Sequence, residues 1–177
     1  MRTGRLYSKR LTKPKSTVDY ESGVEIMSHV TNISTAGLEY DLGVIKHLCQ
    51  WQGWGFIEGK QTYEWFGYSV GDHPIPEGYT AQDLGKCEHA IKIPGCSYEV
   101  GVIRGKNDGW IIMADFWQTG GLDVTLGPKG EKFNQLYHVS QDIMWAENKG
   151  YAWEETPGSS ETSRKIAIYT EDPSEGW

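Results

Sequence analysis

The chain has 177 residues, 17 basic and 24 acidic, for a net charge of −7. That length suits one domain able to bury a real core, and an aromatic content of 12% is too rich for a disordered chain. Three cysteines, Cys49, Cys87 and Cys96, are an odd and sparse set that excludes a disulfide framework, and no apolar run approaches the roughly 20 residues of a membrane span.

The charge is unevenly spread. Arg2, Arg5, Lys9, Arg10, Lys13 and Lys15 all precede the first acid, Asp19, which leaves 11 of the 17 basic residues against 24 acids in the remainder. Residues 1–26 therefore read as a basic, solvated, flexible tail, whose functional reading is an electrostatic arm for nucleic acid or an acidic partner. A native start at Met27 would remove that tail from the protein altogether. The acidic body argues against a broad nucleic-acid face, which needs clustered Lys and Arg. No apolar h-region follows the positive start, so it is not a secretory signal and the expected location is the cytoplasm.

The first element is a short β-favouring run, residues 28–33. Ser34 and Thr35 offer an N-cap for a helix whose apolar stripe is Leu38, Leu42, Ile45, Leu48 and Cys49, ending near Gly53 or Gly55. Residues 56–96 read as a long ordered insertion outside the sheet. It carries the aromatic cluster Tyr63, Trp65, Phe66 and Tyr68, then a turn-rich stretch around His73, Pro74, Ile75 and Pro76 that excludes helix and central strand. One helical turn is expected at residues 80–84, closed by Gly85.

Residues 98–103 and 110–117 form a predicted hairpin around Asn107-Asp108-Gly109, since Asp-Gly between two such runs is a strong turn signal. The return run is apolar on both faces and reads as a central, covered strand. A Gly-rich link precedes a second helix with the stripe Phe133, Leu136, Tyr137, Ser140, Ile143 and Met144, stopped by Lys149-Gly150. A last hairpin joins residues 151–154 to 165–169, and residues 171–177 form an acidic tail. The expected fold is α+β: one domain over residues 27–170, with two helices on one face of a mostly antiparallel sheet, a plan that includes the ferredoxin-like arrangement.

Met27-Ser28-His29 before a strand and helix resembles the opening of the hypothetical chloroplast reading frame thirty-five family, a domain of unknown function found in plastids, cyanobacteria, bacteria and phages. The hairpin Tyr98-Glu99-Val100-Gly101-Val102 through Trp110-Ile111-Ile112-Met113-Ala114-Asp115-Phe116-Trp117 is similar to its central signature. The block from Leu136-Tyr137-His138 to Lys149-Gly150-Tyr151 is similar to a third. Gly85-Lys86-Cys87-Glu88-His89-Ala90-Ile91 resembles the bacterial and phage members more than the plastid ones. The resemblance spans residues 27–170 and implies a common fold and a phage origin. It implies no activity, and an AAA-type ATPase partner only by neighbourhood.

Chemistry-bearing side chains are few. Zinc takes Cys and His in fours, and Cys87, His89 and Cys96, with His47 and Cys49 on the first helix, supply the residue types without a paired C-x-x-C spacing. Cys49 also falls on the buried helical stripe, where it packs as a small apolar group. No cofactor is therefore expected, with zinc the alternative. Cys87 or Cys96, with His89 or His73, supplies the elements of a thiol nucleophile and base, but no nucleophile elbow, oxyanion hole or orienting acid accompanies them. Asp115 shares a strand face with Ile111 and Met113; it reads as a strand-ending side chain bonded to the next loop, or alternatively as a catalytic acid or base. Tyr63, Trp65, Phe66, Tyr68 and Ile75 lie among acids rather than in a basic groove, which favours a protein partner over nucleobases. The reading is a non-enzymatic interaction protein acting through residues 56–96. The alternatives are a small Cys/His- or metal-dependent enzyme using Cys87, His89, His73 or Asp115, and nucleic-acid contact through the tail.

Overall fold

The computed structural model describes residues 30–34, 39–67, 74–157 and 164–169. The basic and acidic tails, His29, Thr35, Leu38, Tyr68 and His73 lie outside the described residues. Among these residues the fold is α+β, with a five-stranded sheet, two main helices and a separate two-stranded ribbon. The sheet runs in the order β1 (Val30–Asn32), β5 (Trp110–Asp115), β4 (Val100–Arg104), β3 (His89–Lys92), β2 (Gly55–Glu58), and every pair is antiparallel. The Asn107-Asp108-Gly109 turn does join β4 to β5, with Asp108 at φ 63°. As its two apolar faces require, β5 is covered on both sides, between β1 and β4.

Alternation along these strands divides the side chains between two layers. Trp110, Ile112 and Ala114, with Val100, Val102 and Ile91, join one core with α1 (Leu42–Gln52), α2 (Leu122–Leu126) and α3 (Glu131–Asn148). The two long helices thus lie on one face, as their stripes require. The opposite face, carrying Met113 and Ala90 with Ile103 and Ile111 beside them, meets Tyr63, Trp65, Ile75, Tyr79 and Leu84. Residues 59–67 and 74–88 therefore cover the second face of the sheet. Gly101 makes the close approach possible, since a Cβ there would lie 2.4 Å from the Tyr63 ring.

Several expectations are corrected. The helix cap is Asp41, whose carboxylate accepts from the Val44 amide at 3.0 Å, so the helix starts well beyond Ser34 and Thr35. The insertion does not lie wholly outside the sheet: its first residues belong to β2, and His89–Lys92 near its end form β3. The Gly-rich link contains α2, in which Leu122 and Leu126, four apart, are fully buried. The expected turn near residue 80 is one turn closed by Thr80 and Asp83, with the Asp83 amide donating to the Thr80 carbonyl at 3.0 Å.

The ferredoxin-like arrangement does not describe the connections. It needs two βαβ crossovers within one sheet, whereas β6 (Ala152–Pro157) and β7 (Arg164–Tyr169) pair only with each other among the described residues. Ile166 and Ile168 of this ribbon pack on Val139, Ile143 and Ala146 of α3. That helix therefore buries two faces, one toward the sheet and one toward the ribbon, which explains why Val139 and Ala146 are buried outside the predicted stripe.

Candidate functional site

The covered second face of the sheet gathers the polar groups of greatest interest. Asp115 ends β5 and is 1% exposed. One carboxylate oxygen accepts from the Trp117 amide at 2.9 Å and the other from the Phe66 amide at 3.1 Å. The charge is thus spent on two backbone donors from segments far apart in sequence. The rings of the two residues it holds, both half-buried, lie with centroids 5.7 Å apart and planes at 43°.

Glu99 is the second buried carboxylate, at 4% exposure. It accepts from the Lys60 ammonium at 2.5 Å and from the Glu64 amide at 3.0 Å. Burial opposes its charge, but the bonds from Lys60 and Glu64 outweigh that and hold the carboxyl below its ordinary range. Backbone pairing between the Glu99 amide and the Glu64 carbonyl at 2.9 Å completes the join. The insertion is thereby fixed to the sheet at two carboxylates. Sequence reasoning singled out Asp115 and missed Glu99, whose only signal was an acid facing outward in a strand whose outward face turns out to be covered.

The thiol and imidazole candidates do not meet. Cys87 packs with the second-face cluster and donates to the Lys60 carbonyl at 2.9 Å. Burial pushes its thiol up to about 11, with the Lys60 ammonium pulling it down and the Glu99 carboxylate pushing it up. At neutral pH it is a thiol, whereas the attacking species of a cysteine nucleophile is the thiolate. His89 turns to the helix side, its ring 4.8 Å from Trp110 and 5.4 Å from Phe56, and its Nδ1 accepts from the Gly59 amide at 3.1 Å. The sheet separates the two.

Cys96 lies in the helix-side core, with its sulfur 3.4 Å from both the Gly121 carbonyl and the Thr125 hydroxyl. Cys49 is buried on α1, and burial pushes its thiol up to about 12. Among the described residues no three His, Cys, Asp or Glu side chains gather as a metal site.

One constellation went unread in the sequence. His47 on α1 stands 2.6 Å by Nδ1 from the Ser140 hydroxyl and 3.5 Å by Nε2 from the Glu147 carboxylate. These are the residue types of a hydrolytic triad, but geometry and access decide the role. Ser140 is fully buried between α1 and α3, and its hydroxyl also reaches the Val44 carbonyl at 3.4 Å. The group ties the helices together.

Of the aromatic candidates, Tyr63 is buried, and Trp65 and Ile75 are half-buried against the second core. Phe66 stands instead beside Trp117, which sequence reasoning had assigned only to the strand. Tyr68, His73 and the six basic residues of the N-terminal tail lie outside the described residues. No described helix is long and apolar enough to cross a membrane. Comparison with protein-family models, curated proteins and solved structures finds no match.

Proposed function

We propose that this domain is a non-enzymatic interaction module that binds a protein partner through the 56–96 insertion, with Phe66 and the neighbouring Trp117 as its anchors. The observation that supports this reading most is the Asp115 clamp. A buried carboxylate commits both oxygens to backbone amides, leaving two half-exposed rings side by side and pre-positioned. Rigid aromatic anchors on a fixed backbone are what protein interfaces use as hot spots, because little entropy is lost when they are buried. Tyr63, Trp65 and Ile75 of the same insertion pack in the second-face core.

The proposed setting is a phage-type accessory protein acting in the host cytoplasm, with an AAA-type ATPase as the partner class suggested by family neighbourhood. No specific observation favours a thiol enzyme, since Cys87 is protonated at neutral pH and apart from His89.

Capture from host lysate by the wild-type chain, and by Phe66→Ala and Trp117→Ala, tests the reading. Each truncation is expected to cost about 2 kcal/mol of binding, roughly thirtyfold in Kd, without altering the fold. No retained partner, or equal capture by all three chains, would refute it. Zinc bound stoichiometrically to the purified protein would favour the metal-dependent enzyme instead.

A further inference from the structure

The turn between β4 and β5 holds a carboxylate in an unusual way. Glu39 stands immediately before Tyr40, which exchanges backbone hydrogen bonds with Trp110 at 2.7 and 2.9 Å. From there its side chain reaches back into the turn. One oxygen accepts from the Lys106 amide at 2.7 Å, the other from the Gly109 amide at 2.9 Å, and the Asn107 amide lies 3.1 Å from both. The Asn107 side-chain amide adds a longer bond at 3.4 Å. Three backbone donors thus converge on a single carboxylate, the arrangement by which backbone nests hold anions.

The shape of the turn is as specific as its donors. Gly105 and Gly109 flank the carboxylate, and a Cβ on Gly105 would fall 2.4 Å from the Glu39 carboxyl carbon. The turn is closed independently of Glu39, by the Gly105 amide donating to the Gly109 carbonyl at 2.8 Å. The backbone bonds hold the Glu39 carboxyl below its ordinary range, although what burial there is works against them.

We propose that the 105–109 turn is a ready-made oxyanion-binding nest, with Glu39 as its tethered occupant and a free oxyanion as the ligand it accepts when that side chain is absent. The donors are backbone amides fixed by the β4–β5 hairpin, so they remain convergent without Glu39. Either a carboxylate or a phosphate supplies the paired oxygens the nest requires. In the intact protein the same contact latches the chain entering α1 to the hairpin.

The test is the thermal melting of Glu39→Ala in sodium acetate, inorganic phosphate and sodium chloride at matched ionic strength. The variant is expected to melt below the wild type in chloride and to recover in acetate, phosphate or both, whichever ligand the nest prefers. The wild type should show no such anion specificity. The double variant with Gly105→Ala, whose methyl occupies the carboxyl position, should not recover. A Glu39→Ala chain that folds only with one of the two oxyanions supports the nest equally. Identical melting in all three salts, or failure to fold in any of them, would overturn the proposal, as would full recovery in the double variant.

Discussion

Asp115 and Glu99 are both buried carboxylates, Asp115 held by two backbone amides and Glu99 by the Lys60 ammonium and one backbone amide. A carboxylate out of water is costly unless its oxygens find donors, and here every donor named comes from the insertion or from the loop after β5. The two acids are therefore the fastenings of the insertion. For Glu99 this has a pH signature. Its carboxyl is held below the ordinary range in the folded state, so the unfolded chain binds the proton first as pH falls. The resulting stabilisation is present above the ordinary glutamate range, about 4.3, and is lost as pH drops through the lower folded value. Glu99→Gln should accordingly be less stable than the wild type at neutral pH, with the gap closing in urea titrations carried to progressively lower pH. A gap that stays constant across that range would show that the charge of Glu99 contributes nothing.

Among the elements, α1 has the most clearly local cause. Asp41 caps it from a β-region backbone, and Gly53 at φ 70° ends it with its amide directed to the Cys49 and Gln50 carbonyls. Asp41→Ala should cost about 1 kcal/mol, a typical value for loss of a capping side chain, read as a shift in the urea midpoint at unchanged slope. A midpoint within error of the wild type would mean that the helix is held by packing alone. The same element shows where sequence reading succeeds and stops. The stripe from Leu42 to Cys49 was legible because it is local and periodic, as were the β4–β5 hairpin and α3. Ser34 and Thr35 are good cap residues by type, and only the path of the chain to the Trp110 pairing selects Asp41. Strand β2 was unreadable for a related reason: Gly55–Glu58 is too short to alternate visibly, and its partner β3 lies far along the chain, beginning at His89. Helix α2 was hidden by the glycines flanking five residues. At the site, the loop contact of Asp115 to Trp117 was readable as a neighbour effect, while its bond to Phe66, 49 residues away, was not.

Over the whole molecule, an antiparallel sheet is covered by helices on one face and by an irregular segment on the other. Irregular covers are uncommon, because every buried backbone polar group must find a partner. This one succeeds through bonds from Tyr63 to Gly85, Cys87 to Gln61 and Glu99 to Glu64, at 2.9 Å each, together with the two carboxylates. A segment fixed this firmly can present side chains without first ordering itself, and that saving is the physical basis of the proposed interaction role. In the proposed interaction role, Asp115 acts as a positioning residue for the Phe66–Trp117 pair. Its most direct test compares partner capture by Asp115→Asn and by Phe66→Ala, at a temperature where both remain folded. The Asp115→Asn change turns one acceptor oxygen into an amide nitrogen that faces a backbone donor, so the account predicts that this variant loses capture about as severely as the truncation. Wild-type capture by a folded Asp115→Asn chain would contradict it.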